Sequence, residues 1–286
     1  MTATTGRVID SHLHLWNLER GGYAWLTPDA GELYANFEPA KAGAELARAH
    51  VDGAVLVQAD DTEADTEAML RVADEHDWVA GVVGWVRLDE PSAAEAQLDR
   101  WQEHPRFCGV RHLVHDDPRD DFLELPAVRR SLELLAARDV PFDVPDAWPR
   151  HLASVTALAS ALPELTVVID HLGKPPRGRP DFVDWRAEFE RAAERPNTVA
   201  KLSGLRIPGA GYSVDALREV WDIALDSYGP ERLLWGSDWP ITVPDGGYGP
   251  TFEVLEKLVG ELSDEERHAV LGATAAAVYS LQISDV

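Results

Sequence analysis

Val8-Ile9-Asp10-Ser11-His12-Leu13-His14-Leu15-Trp16 reads as a short strand that runs into a polar, aromatic loop. Alternation along a strand puts Asp10, His12 and His14 on one face and Ile9, Ser11 and Leu13 on the other. Imidazoles are costly to bury without partners. Two of them sharing the end of a strand are either hydrogen-bonded interior histidines or the start of a reactive site. The rest of the chain has to decide between these.

Seven further β-branched, apolar runs follow. They are DGAVLVQ (52–58), VAGVVGWV (79–86), CGVRHLV (108–114), VPFDV (140–144), TVVIDH (166–171), VAKLS (199–203) and LLWGS (233–237). Most begin apolar and turn polar at the C-terminal end, as suits short parallel strands covered on their outer face. Helical periodicity lies between them. Val128, Leu132, Leu135 and Ala136 are spaced i, i+4, i+7, i+8. Residues 152–162, 182–193 and 214–225 also read as helices, and Ser92-x-x-Glu95 and Ser263-x-x-Glu266 as capping boxes. Eight strand–helix units in one chain predict a (β/α)₈, TIM-like α/β barrel. No linker or low-complexity stretch divides residues 1–286, so a single domain is expected. The first connection, from Trp16 to about Pro39, is long and rich in aromatics; it either covers a site or packs as a small satellite core.

The chain has 286 residues, 45% of them apolar, enough for such a barrel. A net charge of −24 argues against nucleic acid or an anionic membrane as partner. No apolar run is long enough to span a bilayer, residues 1–7 lack a leader pattern, and a lone Cys108 fits a reducing compartment. A cytoplasmic enzyme is the expectation, with a homodimer compatible.

In such barrels chemistry sits at the C-terminal strand ends. Those ends carry His12 and His14; Gln58; Trp85; Arg111, His112 and His115; Asp143 and Asp146; His171 and Lys174; Lys201 and Ser203; and Asp238 between Ser237 and Trp239. That gathering of Asp, His, Lys and Arg marks a candidate pocket mouth. The ordered motifs IDSHLHLW, GVRHLV, IDHLGKPP, KLSGL and WGSDWP resemble the amidohydrolase superfamily, and within it the sugar-lactonase branch that holds L-fuconolactonase and 2-pyrone-4,6-dicarboxylate lactonase relatives. The resemblance implies that His12, His14, His171 and Asp238 are the catalytic set. Metal-dependent relatives add a strand-five histidine, and two-metal ones a strand-four Lys or Glu. Here strand five reads VPFDVPD, and strand four ends in Arg111 and His112. A two-metal site therefore lacks its bridging ligand, and because the same groups can act without metal, as the resemblance to the pyrone lactonase implies, the favoured expectation is no required cofactor. The alternative is one divalent ion, zinc, on His12, His14, His171 and Asp238.

The expected reaction is hydrolysis of a lactone, a sugar (aldono) lactone such as L-fuconolactone. Asp238 is the general base, and the imidazoles polarise the carbonyl or orient water. Arg111, His112, Lys174, Trp16, Trp25, Trp85 and Trp239 are the candidate substrate contacts. Arg111 either reads substrate oxygens or pairs with an acid such as Asp143, and the roles of Lys201 and His115 stay open. A metal-dependent non-oxidative decarboxylase of the same superfamily is the alternative function, and a non-catalytic ligand-binding barrel a more remote one.

Overall fold

Eight parallel strands, hydrogen-bonded in the order β1 to β8, form the wall of a (β/α)₈ barrel in the computed structural model, which describes residues 6–20, 22–207 and 210–282. Of residues 1–7, read above for a leader pattern, residues 1–5 lie outside the described residues. In chain order the units are β1 (Ile9–Leu13), α1 (Pro39–Arg48), β2 (Gly53–Val57), α2 (Glu63–Glu75), β3 (Val79–Gly84), α3 (Pro91–Trp101), β4 (Phe107–Arg111) and α4 (Pro126–Ala137). They continue as β5 (Phe142–Val144), α5 (Leu152–Ala161), β6 (Val167–Ile169), α6 (Phe182–Ala193), β7 (Thr198–Leu202), α7 (Val214–Tyr228), β8 (Leu233–Trp235) and α8 (Tyr248–Val259). All eight expected strands are present. Several stop earlier than the apolar runs suggest, because the polar C-terminal residues leave the ladder and enter loops.

Alternation sorts each strand between two cores. One face packs against the helices. The other, with Ile9, Val55, Val57, Val83, Val168, Val199 and Leu234, fills the barrel together with Ala275 and Tyr279 from the C-terminal segment. The barrel closes between β1 and the residues after β8. The Asp238 amide donates to the His12 carbonyl (2.8 Å), the His14 amide to the Trp239 carbonyl (2.8 Å), and Ser11 Oγ to the Trp235 carbonyl (2.6 Å).

One expectation about β1 needs correcting. Asp10 does not share a face with His12 and His14. The β1–β2 register shifts between Asp10 and Leu13, and this irregularity breaks strict alternation. Asp10 turns outward, accepting from Tyr248 Oη at the start of α8 (2.9 Å) and from the Ser237 amide (2.9 Å). It braces the seam and takes no part in the site. A second correction concerns α3: it starts at Pro91 with Glu90 as N-cap, since proline's missing N–H suits the first helical turn, so Ser92 caps nothing. The Ser263–Glu266 capping box does form, on the helix Asp264–His268.

The long first connection does two jobs. Trp16, buried, bridges to Phe37 and packs edge-on against both Phe37 and Trp25, while Phe37 packs edge-on against Trp239. This satellite core holds Trp25 at the barrel mouth, where its Nε1 donates to the Ala59 carbonyl (2.9 Å).

Candidate active site

His12, His14 and Asp238 meet across the barrel seam. His14 Nδ1 lies 2.8 Å from the Val57 carbonyl, which can only accept, so the proton is on Nδ1 and the Nε2 lone pair faces the site. His12 Nε2 is 3.1 Å from His14 Nε2 and 3.8 Å from Asp238 Oδ1, and His14 Nε2 is 3.4 Å from that same oxygen. Three atoms so separated share a centre about 2.0 Å from each, the length of a zinc–nitrogen or zinc–oxygen bond. His171, from the turn after β6, brings its ring centroid to 4.7 Å from that of His12 and anchors Nδ1 on Ser203 Oγ (2.9 Å).

Close approach and strained backbone build this geometry. Gly236 lets β8 press against β1, since a Cβ there would stand 2.5 Å from His12 Cβ. Gly204, at φ +54°, leaves room for the His171 ring, whose Nδ1 would lie 2.3 Å from an added Cβ. His171 (φ 57°) and Asp238 (φ 54°) themselves adopt left-handed backbone, which non-glycine residues rarely do and which concentrates at functional sites.

Beneath the three meeting groups lies a buried charge network. Lys201 Nζ, fully buried, is 2.6 Å from Asp143 Oδ2, 3.2 Å from Asp170 Oδ1 and 3.2 Å from His12 Nδ1. Tyr279 Oη donates to Asp143 from below (2.7 Å). Arg111 Nε donates to Asp170 Oδ2 (3.0 Å) and its Nη1 to the Gln58 carbonyl (2.8 Å). Arg111 thus pairs with Asp170, not with Asp143. Burial pushes Asp143 up to about 6 against the pull of Lys201. Burial also opposes the charge on Asp170, but Lys201, His12 and Arg111 outweigh it and hold that carboxyl well below its usual range. Burial lowers His12 and His171, leaving neutral rings at neutral pH. Asp238 is held ionised: desolvation works against it, yet the facing His171, His14 and His12 prevail and lower its pKa.

A cavity of about 170 Å³ opens above this floor, lined by His14, Arg111, His171 and Asp238 and walled by Trp25, Leu113, His115, Asp116, Asp146, Lys174 and Ile241. Of the candidate substrate contacts, Arg111, Lys174 and Trp25 line it. The other four lie behind its wall. Trp16 and Trp239 belong to the aromatic satellite core. Trp85 Nε1 donates to His112 Nδ1 (3.1 Å), and His112 stacks on Phe122 at 4.4 Å, burial pushing it down to about 4. Sequence reasoning missed Asp170. The signal was there: an acid directly before His171 at the end of an otherwise apolar strand.

The fold and this strand-end constellation define an amidohydrolase. The amidohydrolase family model matches residues 9–281, and the chain belongs to that family. It is similar to L-fucono-1,5-lactonase of Burkholderia ambifaria, 37% identical over 84% of this chain and 83% of that one. It is 32% identical to L-fucono-1,5-lactonase of Burkholderia multivorans over 96% of each. Among solved structures it resembles an amidohydrolase from Burkholderia multivorans with bound zinc: 31% identity, TM-score 0.87, covering 96% of this chain and all of that one.

The expectation that no cofactor is required is corrected by these findings. A protein this similar binds zinc, and the donor set here fits such an ion: two imidazole nitrogens and a carboxylate oxygen converge at bonding distance. The expectation rests on the resemblance to the pyrone lactonase, which implies that the same groups act without metal; the alternative, one ion on donors already sufficient for it, is the one these findings favour.

Proposed function

We propose that this chain hydrolyses a sugar-derived lactone, of the aldono-1,5-lactone type, with a divalent ion held by His12, His14 and Asp238 and with His171 beside it. The observation that carries the reading is the convergence of those three donors on one point at the floor of a cavity, in a chain whose relatives are L-fucono-1,5-lactonases. An ion held there supplies Lewis acidity toward the lactone carbonyl and makes water more acidic.

The chain's own groups do the rest. Asp238, kept ionised, takes a proton from water as that water attacks the carbonyl carbon. The same proton is returned to the ring oxygen as the acyl–oxygen bond breaks, leaving a hydroxy acid. Arg111, fixed at the cavity floor by Asp170 and the Gln58 carbonyl, faces the developing oxyanion with a preorganised positive charge. Asp170 faces the Nδ1 edge of His12 (3.4 Å), as carboxylate partners do for ligating histidines, and Lys201 (3.2 Å) holds that carboxylate in place. Trp25 offers an aromatic face at the mouth for a sugar ring.

Decarboxylation is not adopted. The relatives at 37% and 32% identity are lactonases, which supports ring opening over loss of carbon dioxide. A panel of aldonolactones assayed by proton release, with zinc restored after chelation, tests the reading. Ring opening that chelator abolishes and zinc restores supports it. A zinc-loaded protein that opens no lactone refutes it.

A further inference from the structure

We propose that Asp146, paired with Lys174, is a specificity-determining acceptor for ring hydroxyls, so that the site takes an uncharged polyhydroxylated lactone and turns away a carboxylated one; this rests on the lactonase reading above. Asp146 lies just beyond β5 and lines the same cavity as Asp238 and His171. Its Oδ1 is buried and has no hydrogen-bond partner. Lys174 Nζ stands 3.6 Å away, near enough to neutralise the carboxylate but too far to satisfy it. A buried acceptor in this state is costly to leave unmade, and a hydroxyl on the ligand is the donor it lacks. Asp146 (φ 42°) and Lys174 (φ 64°) both hold left-handed backbone, so two strained loops are kept in place to set the pair at the rim.

The charge balance points the same way. Away from the floor, where the proposed ion and its donors lie, Asp116 and Asp146 line the cavity against one permanent cation, Lys174. Arg111 is engaged by Asp170 and the Gln58 carbonyl, and Lys174 faces Asp146. In the neighbouring loops Arg206 is paired with Asp245, and Arg177 donates to the carbonyls of Ala216 and Leu205. Arg111 and Lys174, which line the cavity, and Arg206 and Arg177 in the loops beside it thus all face oxygens of the chain itself. A substrate carboxylate set against that wall, away from the floor, meets like charge, whereas a ring hydroxyl meets acceptors.

The test compares kcat/KM of wild type and Asp146→Asn, both loaded with zinc, on three six-membered lactones: an aldono-1,5-lactone, the unsubstituted ring, and a ring bearing a carboxylate. Asn tolerates the left-handed backbone and keeps the shape while losing the charge. The expected result is a fall of roughly 10-fold in the preference for the aldonolactone over the unsubstituted ring, since charge-assisted hydrogen bonds are the strong ones, with a rise in relative activity on the carboxylated ring. Asp146→Glu, measured alongside, retains the charge and should keep the carboxylated ring excluded. An equal drop on all three substrates, or a wild type that prefers the carboxylated ring, overturns this inference alone. A wild type inactive on every lactone overturns the lactonase reading and this one with it.

Discussion

Gly236→Ala is the substitution that most directly probes how the site is assembled. The new Cβ would lie 2.5 Å from His12 Cβ and 3.0 Å from the His12 backbone nitrogen. Carbon atoms rest about 3.5–4.0 Å apart, so relief needs an opening of about 1 Å between the first and last strands. Backbone atoms on both sides leave no flexible tip to swing away. The two strands carry the two halves of the donor set, His12 and His14 on one and Asp238 just past the other. A misplacement of about 1 Å can cost 10²-fold in rate, and loosened support of a metal ligand about 10–100-fold in affinity. Overpacking itself costs about 1–3 kcal/mol, or roughly 2–5 °C in melting temperature for a chain of this size. The assays are kcat/KM on an aldonolactone, zinc affinity by competition with a chromophoric chelator, and a thermal melt. Wild-type zinc affinity and turnover in the variant would refute the claim that this contact sets the site.

Gly204→Ala should also damage the site but through His171. It places a side chain at φ +54° and 2.3 Å from His171 Nδ1, so kcat/KM should fall about 10²-fold as the bond to Ser203 Oγ is displaced, read by steady-state kinetics. Asp238→Asn should keep the fold, judged by circular dichroism, and lose about 10²–10⁴-fold in kcat, since the amide cannot take water's proton. Between about pH 4 and 7 two sets of buried groups oppose each other: His12, His112 and His171, whose pKa values burial lowers, favour the fold more as pH rises toward their unfolded value, while Asp61 and Asp65 favour it less. Burial raises Asp61 to about 7 and Asp65 to about 6, above their unfolded values, so the stability linked to their protonated forms is full below about pH 4 and lost as pH rises through 6 to 7. Melting temperatures in metal-free buffer between pH 5 and 8 check the Asp65 share: Asp65→Asn should gain on the wild type as pH rises through 6.

Much of the architecture was legible because it rests on period and spacing. Apolar runs that turn polar at one end are what a parallel barrel requires, and His12, His14, His171 and Asp238 all stood at such ends. What escaped was anything that depends on a break in period or on partners distant in sequence. The register shift in β1 cannot be read from alternation, which is why Asp10 seemed to share a face with the histidines. Trp16, Trp85 and Trp239 sit beside the site in sequence, but only packing reveals that they stand behind its wall. The pairing of Arg111 with Asp170 joins residues 59 positions apart and depends on which acid the barrel turns inward. The expectation about metal failed for a different reason: it followed the resemblance to the pyrone lactonase, and the separation of the donor atoms, which decides whether they can share an ion, is not written in sequence.

The seam of the barrel runs between the first stave and the last, and the donors His12, His14 and Asp238 stand on its two sides. Whatever spans them ties together points about 226 positions apart along the chain, as a cooper's hoop ties staves, and so removes much of the freedom the ends would gain on fraying. Occupancy of the floor and integrity of the wall are then one equilibrium viewed from two sides: loading the site should slow the loss of the terminal strands, and loosening those strands should empty the site.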